Sequence, residues 1–134
     1  MKRIGAAVLA LVLCLGLLSG CGGTQKIETE GATAQLSDVG QEDGALTGTI
    51  EVTVTVADGD KREDEDWLFA YQPTVSGGAL VGETLPILTS AVRTKDDKVT
   101  ITMEFQLPLG DTVQSGDGLT ITLPGFAQTF SCTA

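Results

Sequence analysis

The sequence predicts an all-β fold, a small antiparallel β-sandwich of Greek-key type. Three observations carry the prediction. Three runs alternate apolar and polar residues with a strict period of two, and β-branched residues dominate them. Turn-forming clusters separate the runs at short intervals. No stretch after Cys21 shows the 3.6-residue apolar period of an amphipathic helix.

In the first run Ile50, Val52, Val54 and Val56 alternate with Thr49, Glu51, Thr53 and Thr55. In the second, Val99, Ile101, Met103, Phe105 and Leu107 alternate with Thr100, Thr102, Glu104 and Gln106. Leu119, Ile121 and Leu123 alternate with Thr120 and Thr122 in the third. Each reads as a strand with one buried and one wet face, as in antiparallel sheets. Weaker strands are expected at Trp67–Tyr71, at Leu85–Val92, where Pro86 suggests an edge position, and at Phe126–Cys132. Asp58-Gly59, Ser76-Gly77-Gly78, Lys95-Asp96-Asp97-Lys98, Gly110-Asp111, Ser115-Gly116-Asp117-Gly118 and Pro124-Gly125 supply the turns. The expected core is Ile50, Val52, Val54, Val56, Val99, Ile101, Met103, Phe105, Leu119, Ile121, Leu123 and Phe130, with Trp67 or Phe69 between the sheets. The stretch from Leu109-Gly110-Asp111 through Leu119–Phe126 resembles the late strands of immunoglobulin-like modules in secreted surface proteins, and that resemblance implies an immunoglobulin-like sandwich over residues 47–134.

The N-terminus is of a different character. Lys2 and Arg3 precede a nearly uninterrupted apolar run from Ile4 to Leu18, the length of a secretory h-region and short for a membrane span. Leu18, Ser19, Gly20 and Cys21 close it. This order of Leu, small, small, Cys resembles the lipobox of bacterial lipoproteins. The resemblance covers residues 1–21 and implies cleavage before Cys21, with a diacylglyceryl group joined to the Cys21 thiol. Alkylation needs a thiolate nucleophile, and small neighbours let a peptidase reach the backbone. Acyl chains contribute roughly 0.8 kcal/mol per buried methylene, so two of them anchor where one binds marginally. The implied address is the extracytoplasmic face of the cell membrane, or the outer membrane in a diderm host, where Gly22 after the lipidated Cys favours outward sorting. The domain layout is therefore a signal peptide at 1–20, lipidated Cys21 with a flexible tether to residue 46, and the sandwich at 47–134. The tether is read from its sparse apolar residues and scattered Glu28, Glu30, Asp38, Glu42 and Asp43, with Gln35-Leu36 and Val39 as a candidate short edge strand within it.

Loss of the leader removes Lys2 and Arg3 and takes the formal charge from −10 to −12. Such a charge argues against nucleic acid and against electrostatic docking on anionic lipid or wall polymer. Attachment to the membrane would then fall to the lipid. With Cys14 removed and Cys21 alkylated, Cys132 is the one remaining thiol and no intramolecular disulfide can form. The chain has no His, which takes away the commonest general base and metal ligand. It also lacks a Gly-x-Ser-x-Gly elbow, a Ser-x-x-Lys pair and a phosphate-cradling glycine loop. No catalytic residue and no cofactor is expected.

Three features bear on a site. The acidic run Asp58–Asp66 contains Asp58, Asp60, Asp64 and Asp66, an arrangement that could offer oxygens to calcium. It does not fit an EF-hand loop, since the sixth and twelfth positions are Glu63 and Phe69, and Lys61 and Arg62 would oppose a dication. A solvated loop is the favoured reading. Trp67, Phe69 and Tyr71 could stack on a sugar, although alternate aromatics in a strand more often face the core. Cys132 reads as a small buried hydrophobe on the side of Phe126 and Phe130. The functional expectation is a lipid-anchored, non-enzymatic envelope domain that binds a protein or glycan through loops 58–66, 73–83 or 108–118. The alternatives are an accessory subunit of an envelope assembly and a calcium-dependent adhesive domain.

Overall fold

The computed structural model describes residues 24–57, 60 and 62–134. The lipobox-like segment with Cys21, Cys14 within it, and Asp58, Gly59 and Lys61 of the acidic run lie outside the described residues. The elements in chain order are β1 (Gln25–Thr29), β2 (Ala32–Glu42), β3 (Ala45–Thr55), α1 (Asp64–Ala70), β4 (Thr74–Gly77), β5 (Leu80–Thr84), β6 (Ile87–Lys95), β7 (Lys98–Pro108), β8 (Gly118–Thr122) and β9 (Phe130–Thr133).

Two antiparallel sheets form, in the orders β1-β2-β3-β7-β6 and β5-β4-β8-β9. Their inward side chains meet in one apolar cluster, so the fold is an all-β sandwich. The chain moves between sheets after β3, β5 and β7, which makes β3 the neighbour of β7 and β4 the neighbour of β8. The predicted alternation in β3, β7 and β8 is present: Ile50, Val52, Ile101, Met103, Phe105, Leu119 and Ile121 are all buried. Val56, expected in the core, is half-buried just past the end of β3. Gly48 lies opposite Phe105 in the β3–β7 register. A Cβ at Gly48 would stand 2.6 Å from the Phe105 ring, so the missing side chain is the space that ring occupies.

Three sequence expectations are corrected. Residues 25–46 are not a tether: β1 and β2 fill most of the segment, and β3 begins at Ala45. Ile27, Ala32, Ala34 and Leu36 point inward from β1 and β2 and are buried. Alanines carry little hydropathy, yet in a strand pressed against β3 they complete the core. The sandwich therefore starts at Gln25, not at residue 47. The aromatic run 67–71 is not a strand but lies largely in α1, which starts after Glu63. The Glu63 N–H donates to the Asp66 carboxylate at 3.0 Å, and Asp64, Glu65 and Asp66 in the first turn suit the positive end of the helix dipole. The segment 85–92 is displaced: Leu85 and Pro86 form the break between β5 and β6, and β6 runs on to Lys95. Its expected edge position is correct. The last strand begins at Phe130, with Phe126 packed into the core from the preceding turn.

Candidate functional site

The site is set by a mismatch between the two sheets. In β6, Ser90 and Val92 pair with Met103 and Ile101 and so share their inward side. Met103 and Ile101 are buried, whereas Ser90 is exposed and Val92 half-buried. The second sheet does not extend over β6. Helix α1 partly fills the gap and leaves a groove of about 320 Å³. Leu68, Ile87 and Met103 give it apolar walls and floor, with Glu65, Gln72 and Ser90 as its polar members. Phe69 completes the lining and is 80% exposed, the largest apolar side chain left in solvent beside the groove. Leu88 of the same edge is 64% exposed.

The helix that carries Phe69 is fixed from its other side. Trp67 is buried, and the Arg62 guanidinium lies 3.7 Å above its ring centroid. Asp60 accepts from Arg62 Nη2 at 2.8 Å, from Nε at 3.2 Å and from the Arg62 main-chain N–H at 3.0 Å. These hydrogen bonds hold the Asp60 carboxyl below the usual carboxylate range and push the Arg62 guanidinium further up. Tyr71 meets Phe126 edge-on, with centroids 6.4 Å apart. A base held by these contacts thus presents Leu68 and Phe69 to the groove.

The three aromatics do not form a stacking platform. Helical spacing puts Trp67 and Tyr71 on one face and sends Phe69 to the other. Of the calcium candidates, Asp58 is outside the described residues. Asp60 is engaged by Arg62, Asp66 accepts the Glu63 N–H, and Asp64 sits in the first helical turn. Among the described residues no three Asp, Glu, Cys or His side chains gather closely enough to hold a metal ion. Cys132 is buried, opposite Leu119 in the β8–β9 register.

Two of the three loops expected to meet a partner have ordered structure of their own. Residues 74–84 form the β4–β5 hairpin. The 109–117 loop is tied down by Val113, which is fully buried, and by bonds from the Leu109 N–H to the Gly44 carbonyl at 3.0 Å and from the Ala79 N–H to the Thr112 carbonyl at 2.8 Å. A second depression of similar volume lies on the outer face of the five-stranded sheet, lined by Glu28, Thr33, Thr53, Thr55 and Lys98. Its lining is polar, with no exposed apolar anchor.

Sequence reasoning named Phe69 but placed it in the core, and it missed Ile87 and Ser90 as site residues. No local signal marks those two, because the groove follows from how far each sheet extends. No protein-family model matches the chain, and neither a curated protein nor a solved structure matches it.

Proposed function

We propose that this protein is a lipid-anchored lipoprotein of the bacterial cell envelope whose sandwich domain, without enzymatic activity, binds a protein partner in the α1–β6 groove. The lipobox-like order Leu18, Ser19, Gly20, Cys21 supports the anchor, with Cys21 as the acylated residue. The observation that carries the binding reading is Phe69, exposed beside an apolar groove on a helix braced by Asp60, Arg62 and Trp67. An aromatic next to a desolvated pocket is the usual composition of an energetic centre at an interface. One carboxylate, one amide and one hydroxyl line the groove, which suits orientation of a ligand better than proton transfer. Asp60 is committed to Arg62, which weighs against the calcium-dependent alternative.

The strand order supports the immunoglobulin-like part of the reading. The orders β2-β3-β7-β6 and β9-β8-β4 have the connectivity ABED over GFC, with β1 as an added N-terminal strand and β5 as an added edge strand. A second reading, an accessory subunit joined through a sheet edge, is favoured by β6, which among the described residues pairs only with β7.

The test is a photo-crosslinking residue at position 69 in intact envelopes, compared with one at Thr53 on the other side of the sheet. A discrete adduct from position 69, absent at Thr53 and abolished by Leu68→Asp, is expected. Equal adducts from both positions, or none, would refute groove binding. An adduct that survives Leu68→Asp but is lost when Thr89→Pro blocks the edge favours the assembly subunit.

A further inference from the structure

We infer that the lipidated protein lies on its β1–β9 side, with the headgroup layer of its own membrane against that side and the α1–β6 groove turned away from the bilayer; this rests on the proposed acylation of Cys21. The first support is chain length. Cys21 precedes Gln25, the first residue of β1, by four positions, which span at most about 14 Å when fully extended. Gln25 is fixed to the far sheet as well as its own. Its side-chain amide accepts the Ser131 main-chain N–H at 3.0 Å and donates to the Ser131 carbonyl. The Glu28 N–H donates to Gln128 Oε1 at 3.0 Å. The anchor therefore leaves from the middle of one long side, where β1 and β9 meet.

It cannot reach the 43–44 end. Gln25 pairs with Leu36, and β2 continues from there to Glu42, so that end lies roughly 20 Å further on at ~3.3 Å per residue. The second support is charge. Glu42, Asp43 and Asp111 lie at the 43–44 end and Glu63–Asp66 at α1, whereas at the opposite end Lys95 and Lys98 flank Asp96 and Asp97 beside Glu30. On the β1–β9 side Lys26 and Glu28 offset each other at 3.9 Å, with Asp38 of the β2 bulge near them and Gln25, Gln128, Thr129 and Ser131 otherwise uncharged. An anionic bilayer repels the 43–44 end and the helix more than it repels this side. The five-stranded sheet has β1 at one edge and β6 at the other, so the groove faces outward.

The experiment uses the full chain, acylated in a bacterial host, purified and placed in phosphatidylcholine–phosphatidylglycerol vesicles that contain a headgroup-quencher lipid. One fluorophore is attached in each of Ser131→Cys, Thr129→Cys, Leu88→Cys, Asp43→Cys and Asp96→Cys. Cys132 is 5% exposed and stays in place, with the unsubstituted protein as background. Quenching several-fold stronger at positions 131 and 129 than at 88, with 43 and 96 between, is expected. Equal quenching at all positions, or a maximum at 43, 96 or 88, overturns the orientation while leaving the anchor intact. Protein whose mass shows no acyl group and that does not float with the vesicles overturns the anchor and the orientation together.

Discussion

The two long sides of this sandwich solve the same problem in opposite ways. On the β1–β9 side the sheets are closed over the core by side-chain amides: Gln25 satisfies both main-chain groups of Ser131, and Gln128 accepts the Glu28 N–H. Gln25 stands in for a neighbouring strand at Ser131. On the β5–β6 side the sheets have unequal reach, and a helix of seven residues covers the gap incompletely. One side is sealed; the other is open, apolar and carries Phe69. The lesson is that an edge need not be defended everywhere, and the undefended length is where a binding function fits.

The contrast can be broken most severely by one charge. Ile27 points into the core from β1 and is 5% exposed, so Ile27→Asp buries an unpaired carboxylate and should cost about 3 kcal/mol or more. Ser90 also points inward, from β6, yet stands in solvent; Ser90→Asp should change stability by only about 0.5 kcal/mol. Urea unfolding of the two variants measures the difference between the sides directly. Comparable losses would mean that the β6 side is as tightly closed as the β1 side.

A milder change tests what does the sealing. Gln25→Ala removes both bonds to Ser131 and leaves its N–H to water. A net loss of about 1 kcal/mol is expected, since water replaces the partners at an exposed edge. Hydrogen exchange is the sharper measurement: the Ser131 amide should lose protection while the Ile121 amide of β8 keeps it. Retained protection at Ser131 would show that β9 is held by β8 alone.

How much of this was legible depends on which force shapes each element. Strands β3, β7 and β8 announce themselves because β-branched residues alternate strictly with Thr and Glu, and each has a full buried face. β1 and the full length of β2 were hidden, with only Gln35-Leu36 and Val39 hinting at a strand, because Ala32 and Ala34 occupy core positions with almost no hydropathy, amid the Gly, Thr and acidic residues typical of a linker. α1 was hidden by its length: seven residues span barely two turns, and Trp67, Phe69 and Tyr71 match a period of two as well as a helix. The usable signal was polar, four consecutive acids from Glu63 to Asp66 with the capping pair Glu63 and Asp66 three apart. The groove was beyond local reading, since Ile87 and Ser90 line it only because the opposite sheet stops short.

The smallest expected effect concerns the brace behind Phe69. The Asp60 carboxyl is held low by its hydrogen bonds to the Arg62 side chain and main chain. A group with a depressed folded pKa stabilises the fold above its unfolded pKa, and that contribution fades as pH falls through the folded value. At neutral pH the pair is therefore fully formed, and it should persist below the ordinary carboxylate range. Because both groups are solvent-accessible, the loss on protonation is a local loosening of the Arg62 stack on Trp67, not unfolding. Trp67, the chain's one tryptophan, reports it. Its emission should shift red only in strong acid in the natural protein, and already at neutral pH in Asp60→Asn. The same emission in both proteins at pH 7 would show that Arg62 stays on the ring without its carboxylate, and that Phe69 is positioned by the helix cap and the burial of Trp67 alone.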